Sequence, residues 1–326
     1  MKTGWGSLLP VLALPVLLVP VSWGLGAGEC GFREIFALLT GGDVPESTRA
    51  ILLEIRLPRV VAALLAGGML AAAGAAGQNL FRNDLASPHV LGVVNAAALG
   101  AIAGVFLNSW LIVPLALCAG VGSILLLFWI GGRKNWDGAT LILAGIAVNA
   151  FASAATSGAL YLADERLQSL VFWLLGGFWR ITWQSVILLA GAAFIGWGGL
   201  WVCRREMDVL LLGDRGAALS GVRLKTVKPL VMFCMALLTA AVVSCCGVIG
   251  FVGLAVPHMV RRFGGASFSR LLPLVIPAGG GLLLAADIPA RLAMAPQEIP
   301  VGILTALVGG PFFFYLLLRK TGGGHD

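Results

Sequence analysis

Residues 61–77 read VAALLAGGMLAAAGAAG: seventeen residues without a charge, twelve of them Ala or Gly. Such a run offers water no polar face. In hydrocarbon, where backbone groups must be satisfied within the segment, it predicts a helix. Ala63, Gly67 and Ala71 repeat at a spacing of four, as do Ala73 and Gly77. Small residues four apart let two helix backbones approach closely in lipid. The stretch therefore predicts the central helix of a membrane bundle. An overall Ala/Gly bias is the competing explanation.

The rest of the chain agrees about the solvent. It has 326 residues, 59% hydrophobic and 11% charged, with 22 Lys plus Arg and 15 Asp plus Glu. Soluble domains average about 45–50% and 25%. Mean hydropathy is +0.96. These values exclude an ordinary cytosolic enzyme, a disordered chain and a disulfide-stapled secreted domain. The 45 glycines follow no Gly-X-Y period, so collagen is excluded as well. Net charge is +7, but the basic residues are scattered and form no face for nucleic acid. Cys30, Cys118, Cys203, Cys234, Cys245 and Cys246 show no CxxC spacing and mostly sit in apolar runs. They read as packing residues, not as a zinc or redox framework.

Apolar runs occur at 5–26, 58–80, 91–109, 111–131, 139–162, 184–203, 229–249, 250–263, 271–290 and 300–319. Ten spans of about 20 residues fit this length. The first run exceeds a signal-peptide core, so it reads as a retained span. The mixed stretch 27–57 is expected outside the bilayer or at its edge. The short Gly/Pro-rich run at 250–263 has an arbitrary boundary with the run before it. The segment 170–183, with three Trp, reads as interfacial or re-entrant. Placing the N-terminus in the cytoplasm puts 15 of the 22 basic residues there, Lys2, Lys134 and Lys320 among them, and seven outside. This asymmetry supports two cytoplasmic termini. The chain thus reads as an all-α, ten-helix, single-domain membrane protein over 1–326.

No GxxxxGK[ST] is present, so no P-loop nucleotide site is expected. His89, His258 and His325 lack partners at metal-ligand spacing, and no catalytic constellation can be assembled. Asp287 is the one acid within the expected spans. Ion-coupled transporters usually need buried carboxylates or broken-helix ion sites. A transporter of this composition must take its energy from elsewhere. A secondary transporter or channel is the rival class.

The loop RREMDVLLLGDRGAALSGVRLKTVK (204–228) breaks the apolar pattern. Val209, Leu212, Leu219 and Val222 have helical spacing, punctuated by Gly213 and Gly221. A cytoplasmic helix here would dock into a groove on a soluble partner or lie on the membrane surface. In 139–162, Asn149, Ser153, Thr156 and Ser157 fall on one helical face. That stripe suits a water-filled path or interhelical hydrogen bonds.

Seven motifs in order carry a resemblance. They are RLPRV (56–60), QNLFRNDLASPHVLGV (78–93), LILAGIAVNA (141–150), LLLGDRGAALSGV (210–222), GFVGLAVPHMVRR (250–262), LLLAADIPARL (282–292) and EIPVGILTALVGGPFFFYLLLR (298–319). The chain resembles permease subunits of the FecCD family, the BtuC-like importers of iron chelates, haem and cobalamin. Asp84 and Val248 depart from residues usual in the family, which often has Pro at both places. The resemblance implies ten helices per subunit and a second permease, identical or similar. It implies two ATP-binding-cassette ATPases that bind ATP and Mg, and a periplasmic or lipid-anchored substrate-binding protein. It places the chain in the bacterial inner membrane among lipid, with no cofactor and no metal of its own, and implies that the chain is not an enzyme. It makes 207–222 the coupling helix, with Leu212, Gly213, Asp214, Arg215, Ala218, Leu219 and Gly221. Arg56, Arg59 and Arg291 would receive acidic residues of the binding protein, although Arg291 can instead pair with Asp287 four residues away. Val94, Asn95 and Ala96 would narrow the path, with Asn149, Ser153 and Thr156 lining it. The expected cargo is a ferric siderophore, then haem or cobalamin.

Overall fold

The computed structural model describes residues 9–26, 31–133, 136, 138–265 and 267–321. Lys2, Cys30, Lys134 and His325 lie outside the described residues. All regular structure among the described residues is helical. In chain order the helices are α1 (Leu9–Gly24), α2 (Phe32–Thr40), α3 (Glu46–Ala50), α4 (Leu57–Leu80), α5 (Val93–Leu107), α6 (Ile112–Arg133), α7 (Gly138–Tyr161) and α8 (Leu167–Leu175). They continue with α9 (Trp183–Val202), α10 (Arg204–Leu210), α11 (Gly213–Leu219), α12 (Leu224–Cys246), α13 (Val252–Gly264), α14 (Phe268–Leu292) and α15 (Val301–Thr321).

Each of the ten apolar runs carries a helix. Six stretches are long and apolar enough to cross a bilayer alone: Glu46–Leu80, Ser109–Arg133, Gly138–Tyr161, Trp183–Val202, Leu224–Cys246 and Phe268–Leu292. Three apolar helices are shorter, and α13 is the shortest of the ten. The stretch 27–57 differs from expectation. Its second half is helical, because α3 runs through a π-helical turn, Ile51–Arg56, straight into α4. Wide π turns tolerate a local mismatch in side-chain register without ending a helix.

Helix α4 is central. From Ala66 to Leu80 every residue is buried. It packs against α14, α12, α13 and α9. A methyl group on Gly67 would clash with the carbonyl oxygen of Gly279 in α14, and one on Gly74 with that of Gly253 in α13. Gly77 packs against Met235 of α12. The four-residue spacing of small residues is therefore the seam itself.

The boundary left open near 250 is a sharp break. Helix α12 stops at Gly247 (φ 71°), and α13 starts after Phe251 (φ 65°). At 1.5 Å per residue α13 spans only about 20 Å, well short of a hydrocarbon core. Gly253 lies against Leu70 and Gly74, within α4 and not at its end, so α13 begins inside the bundle. Non-helical backbone at that depth needs internal partners. Here Gly177 N–H donates to the Cys246 carbonyl (2.8 Å) and Gly302 N–H to that of Gly176 (3.3 Å). Helix α8, from the Trp-rich segment, is a nine-residue piece that does not span.

Replacing Gly67 by Ala should destabilise the detergent-solubilised protein by about 1–3 kcal/mol, since the obstacle is backbone. Gly122→Ala, where nothing lies within 4 Å, should leave the melting temperature unchanged. Equal melting of the two variants would contradict the seam.

Candidate functional site: two ends of the bundle and an unpacked face

The chain presents three places where chemistry is concentrated. At one end, the 204–228 loop folds as a hairpin of two short helices, α10 and α11, and not as the single helix expected over 207–222. Leu211 and Leu212 form the turn, and Gly213 follows it at φ 89°. The break redistributes the apolar residues. Val209 and Val222 pack on the core, while Leu212 is 72% and Leu219 91% exposed. Arg215, Ala218 and Gly221 are exposed beside them. Gly213 is buried against Arg82. Asp214 turns inward: its carboxylate pairs with the Lys228 ammonium at 2.7 Å, and that ammonium also donates to the Trp136 carbonyl. Asp214 thus braces α11 on α12. Asp84 pairs with Arg261 at 3.0 Å and ties the 81–92 loop to α13.

The opposite end holds Arg56, Arg59 and Arg291. Trp183 at the start of α9 donates to the Leu53 carbonyl (3.1 Å), just before α4, and α9 then runs to the hairpin. The two sites are therefore a full helix length apart. The arginines do not stand on the surface, contrary to expectation. They are 5%, 7% and 5% exposed. Arg59 grips Asp287 (2.8 Å) with one part of its fork and both oxygens of Glu298 (2.8 Å) with another. Arg291 pairs with Asp287 at 3.1 Å and donates to Ser22 and to the Leu25 carbonyl. Arg56 donates to the Trp23 and Gly24 carbonyls. Two guanidinium groups against two carboxylates give a neutral cluster that pins α1, α4, α14 and the start of α15. Desolvated charges persist only when paired this way. Sequence spacing revealed the Asp287–Arg291 pair, four residues apart, but not Arg59–Asp287, which is 228 residues apart.

The third place is α7. It touches the bundle mainly through α5 and α6, and its buried residues are Leu141, Gly145 and Ala152. Asn149 Nδ2 donates to the carbonyls of His89 (2.5 Å) and Val90 (3.4 Å), clamping the 81–92 loop. Its Oδ1 and the Thr156 hydroxyl are buried without a hydrogen-bond partner, and Ser153 and Ser157 are exposed. Buried polar atoms are rarely left so. Val94 and Ala96 depart from the expected path. Both are buried, Val94 in a cluster with Ala97, Ile112 and Trp173. Asn95 is half-buried. A cavity of ≈ 310 Å³ lies by the α12–α13 break, lined by His89, Thr239, Phe251 and Gly253 among others. Its volume is at the low end for a small-ligand pocket. His89 and His258 make no metal site: no group of three His, Cys, Asp or Glu at ligand distance occurs among the described residues.

A multi-pass helical bundle with an exposed apolar hairpin tip at one end suits a membrane protein with a soluble partner. Comparison with known proteins makes the class particular. The FecCD transport family model matches residues 13–319. The cobalamin import permease BtuC of Halobacterium salinarum is 38% identical over 278 residues, covering 84% of this chain and 75% of that one. The vitamin B12 import permease BtuC of Escherichia coli O127:H6 is 36% identical over 326 residues, covering 97% and 95%. An ABC transporter permease of Bacillus subtilis, YvrB, is 37% identical over 295 residues, covering 88% and 83%. A solved inward-facing conformation of a metal-chelate type ABC transporter superposes with a TM-score of 0.85 at 30% identity, covering 96% and 98%. The chain belongs to the FecCD transport family. It is a permease subunit of an ABC importer, and ATP hydrolysis is carried by a separate ATPase.

Asp287→Asn should cost about 3–5 kcal/mol, because it leaves Arg291 and part of Arg59 buried without their anion. Glu298→Gln should cost less, as that side chain is 33% exposed. Thermal melting in detergent reads the order, and a reversed order would contradict the cluster.

Proposed function

We propose that this chain moves a metal chelate across the bacterial inner membrane as half of a permease pair driven by two ATPases, and that the chelate is a corrinoid. The single observation that carries the coupling is the pair of exposed leucines, Leu212 and Leu219, on a hairpin outside the bundle. Exposed apolar side chains on a cytoplasmic element mark a protein interface. The hairpin end also holds Arg82, Arg133, Arg204, Arg205, Arg215, Arg223, Lys225, Arg261, Arg262 and Arg270. The positive-inside rule makes that end cytoplasmic. Helix α1 ends at the opposite side and α15 starts there, so both termini are cytoplasmic in this reading.

The second permease covers the bare side of α7. Its unsatisfied polar groups, Asn149 Oδ1 and the Thr156 hydroxyl, need polar company that lipid does not supply, and an aqueous path beside a partner subunit supplies it. A cavity of ≈ 310 Å³ is too small for a bulky chelate, which favours a path between two subunits. Asn149, Ser153 and Thr156 line it, and Asn95 borders it. A substrate-binding protein docks at the outer end, where Arg33, Arg49 and Arg180 are exposed. Arg59 becomes available to such a partner only if an incoming carboxylate replaces that of Glu298. The corrinoid cargo, in place of the ferric siderophore expected first, follows the cobalamin permeases among the relatives.

Leu219→Asp should abolish co-purification with the candidate ATPase subunit, while the variant still melts as the wild type. Retention of the ATPase would sink the coupling reading. Proteoliposomes holding the full complex should accumulate radiolabelled cyanocobalamin only with internal ATP, and an excess of ferric siderophore should not compete. Competition by the siderophore would transfer the cargo to iron chelates, and uptake that follows a proton gradient without ATP would restore the secondary-transporter class.

A further inference from the structure

We propose that Asp208 is the positioning residue that transmits hairpin movement to α14, and through α14 to the outer ion cluster. The inference rests on the reading of the hairpin as the ATPase contact.

Helix α14 has no side-chain cap of its own: its N-cap residue, Ser267, makes no bond to the first turn. The missing acceptor comes from α10. Asp208 Oδ1 accepts the backbone N–H of Phe268 and that of Ser269 (3.3 Å). Its Oδ2 accepts the hydroxyls of Ser267 (3.2 Å) and Ser269. Two of the orphan N–H groups that open every helix are thus satisfied by one carboxylate from the hairpin. The charge also sits at the positive end of the α14 dipole. Charge-assisted bonds of this kind are roughly twice as strong as neutral ones. Beneath them Met207, Leu210, Phe268 and Leu271 are fully buried in one apolar cluster, which seals the joint. The Ser269 hydroxyl also lies within reach of the Arg204 carbonyl (3.2 Å), and the hairpin's ion pair to α12, Asp214–Lys228, is a single contact with Asp214 partly exposed.

Asp287 lies nineteen residues further along α14, about 29 Å at helical rise. It is held there by Arg59 and Arg291. One helix is therefore gripped at its first turn by the hairpin and near its last turn by the cluster that fixes α1, α4 and α15. Displacement of α10 must either drag α14 or break four hydrogen bonds to one carboxylate.

The test uses the permease–ATPase complex and hydrogen exchange of the 288–300 segment, compared between the nucleotide-free and the ATP–vanadate-trapped state. Wild type should change its exchange there on trapping. Asp208→Ala should lose the exchange response while the ATPase stays bound, and Asp208→Asn, whose amide oxygen still accepts, should keep part of it. A full response in Asp208→Ala, or none in wild type, overturns the proposal. If Asp208→Ala does not fold, Asp208→Asn and Ser269→Ala decide: full responses in both overturn it, and weakened ones support it. A wild-type chain that holds no ATPase refutes the hairpin reading itself, whereas a variant that responds like wild type refutes only the role of Asp208.

Discussion

The bundle depends on two places where backbone meets backbone. Gly67 of α4 lies on Gly279 of α14, and Gly74 of α4 lies on Gly253 of α13, with no room for a methyl group at either. In lipid the hydrophobic effect does not press helices together, because the surroundings are as apolar as the interface. Close packing and internal hydrogen bonds must do so, and side chains larger than hydrogen would hold these axes apart. The same contacts explain how a helix as short as α13 can begin inside the bundle. Its first turn is seated against α4, and the broken backbone before it is met by neighbouring segments.

Charge is used in this protein as a set of fasteners near the helix ends. Asp287, Arg59, Arg291 and Glu298 close one end, and Asp208, Asp214–Lys228 and Asp84–Arg261 the other. Each lies near a loop or helix terminus, and Arg59–Asp287, Asp84–Arg261 and the bonds of Asp208 to α14 join elements distant in sequence. The arrangement accounts for the scarcity of acids in the spans. Among the described residues, Asp287, the one acid in the ten apolar runs, answers Arg59 and Arg291 of the same chain. An importer built this way draws its driving force from a partner, as its family does.

What the fold leaves uncovered is as informative as what it packs. Helix α7 is bare along most of its circumference and carries polar atoms without partners. The hairpin tip exposes leucines outside the bundle. Lipid satisfies neither the partnerless polar atoms of α7 nor leucines on a hairpin outside the bundle. The stripe Asn149–Ser153–Thr156 was legible from helical spacing. The clamp of Asn149 on the 81–92 loop was not, because it depends on where that loop returns.

Composition and periodicity by themselves determined the solvent, the ten apolar runs that carry helices, the small-residue seam of α4 and the existence of a separate helical element at 204–228. These are local properties: a run of apolar residues makes the same choice wherever it sits in the fold. The split of 207–222 into two helices, the burial of Arg56, Arg59 and Arg291, the burial of Val94 and Ala96 and the bonds of Asp208 to the first turn of α14 were decided only by the tertiary structure. Each depends on which group a polar or small side chain meets, and those groups lie on other helices, for Arg59 and Asp287 at a separation of 228 residues. An arginine has the same sequence signature whether its counter-ion belongs to a partner or to its own chain, and only packing brings one of the two within reach.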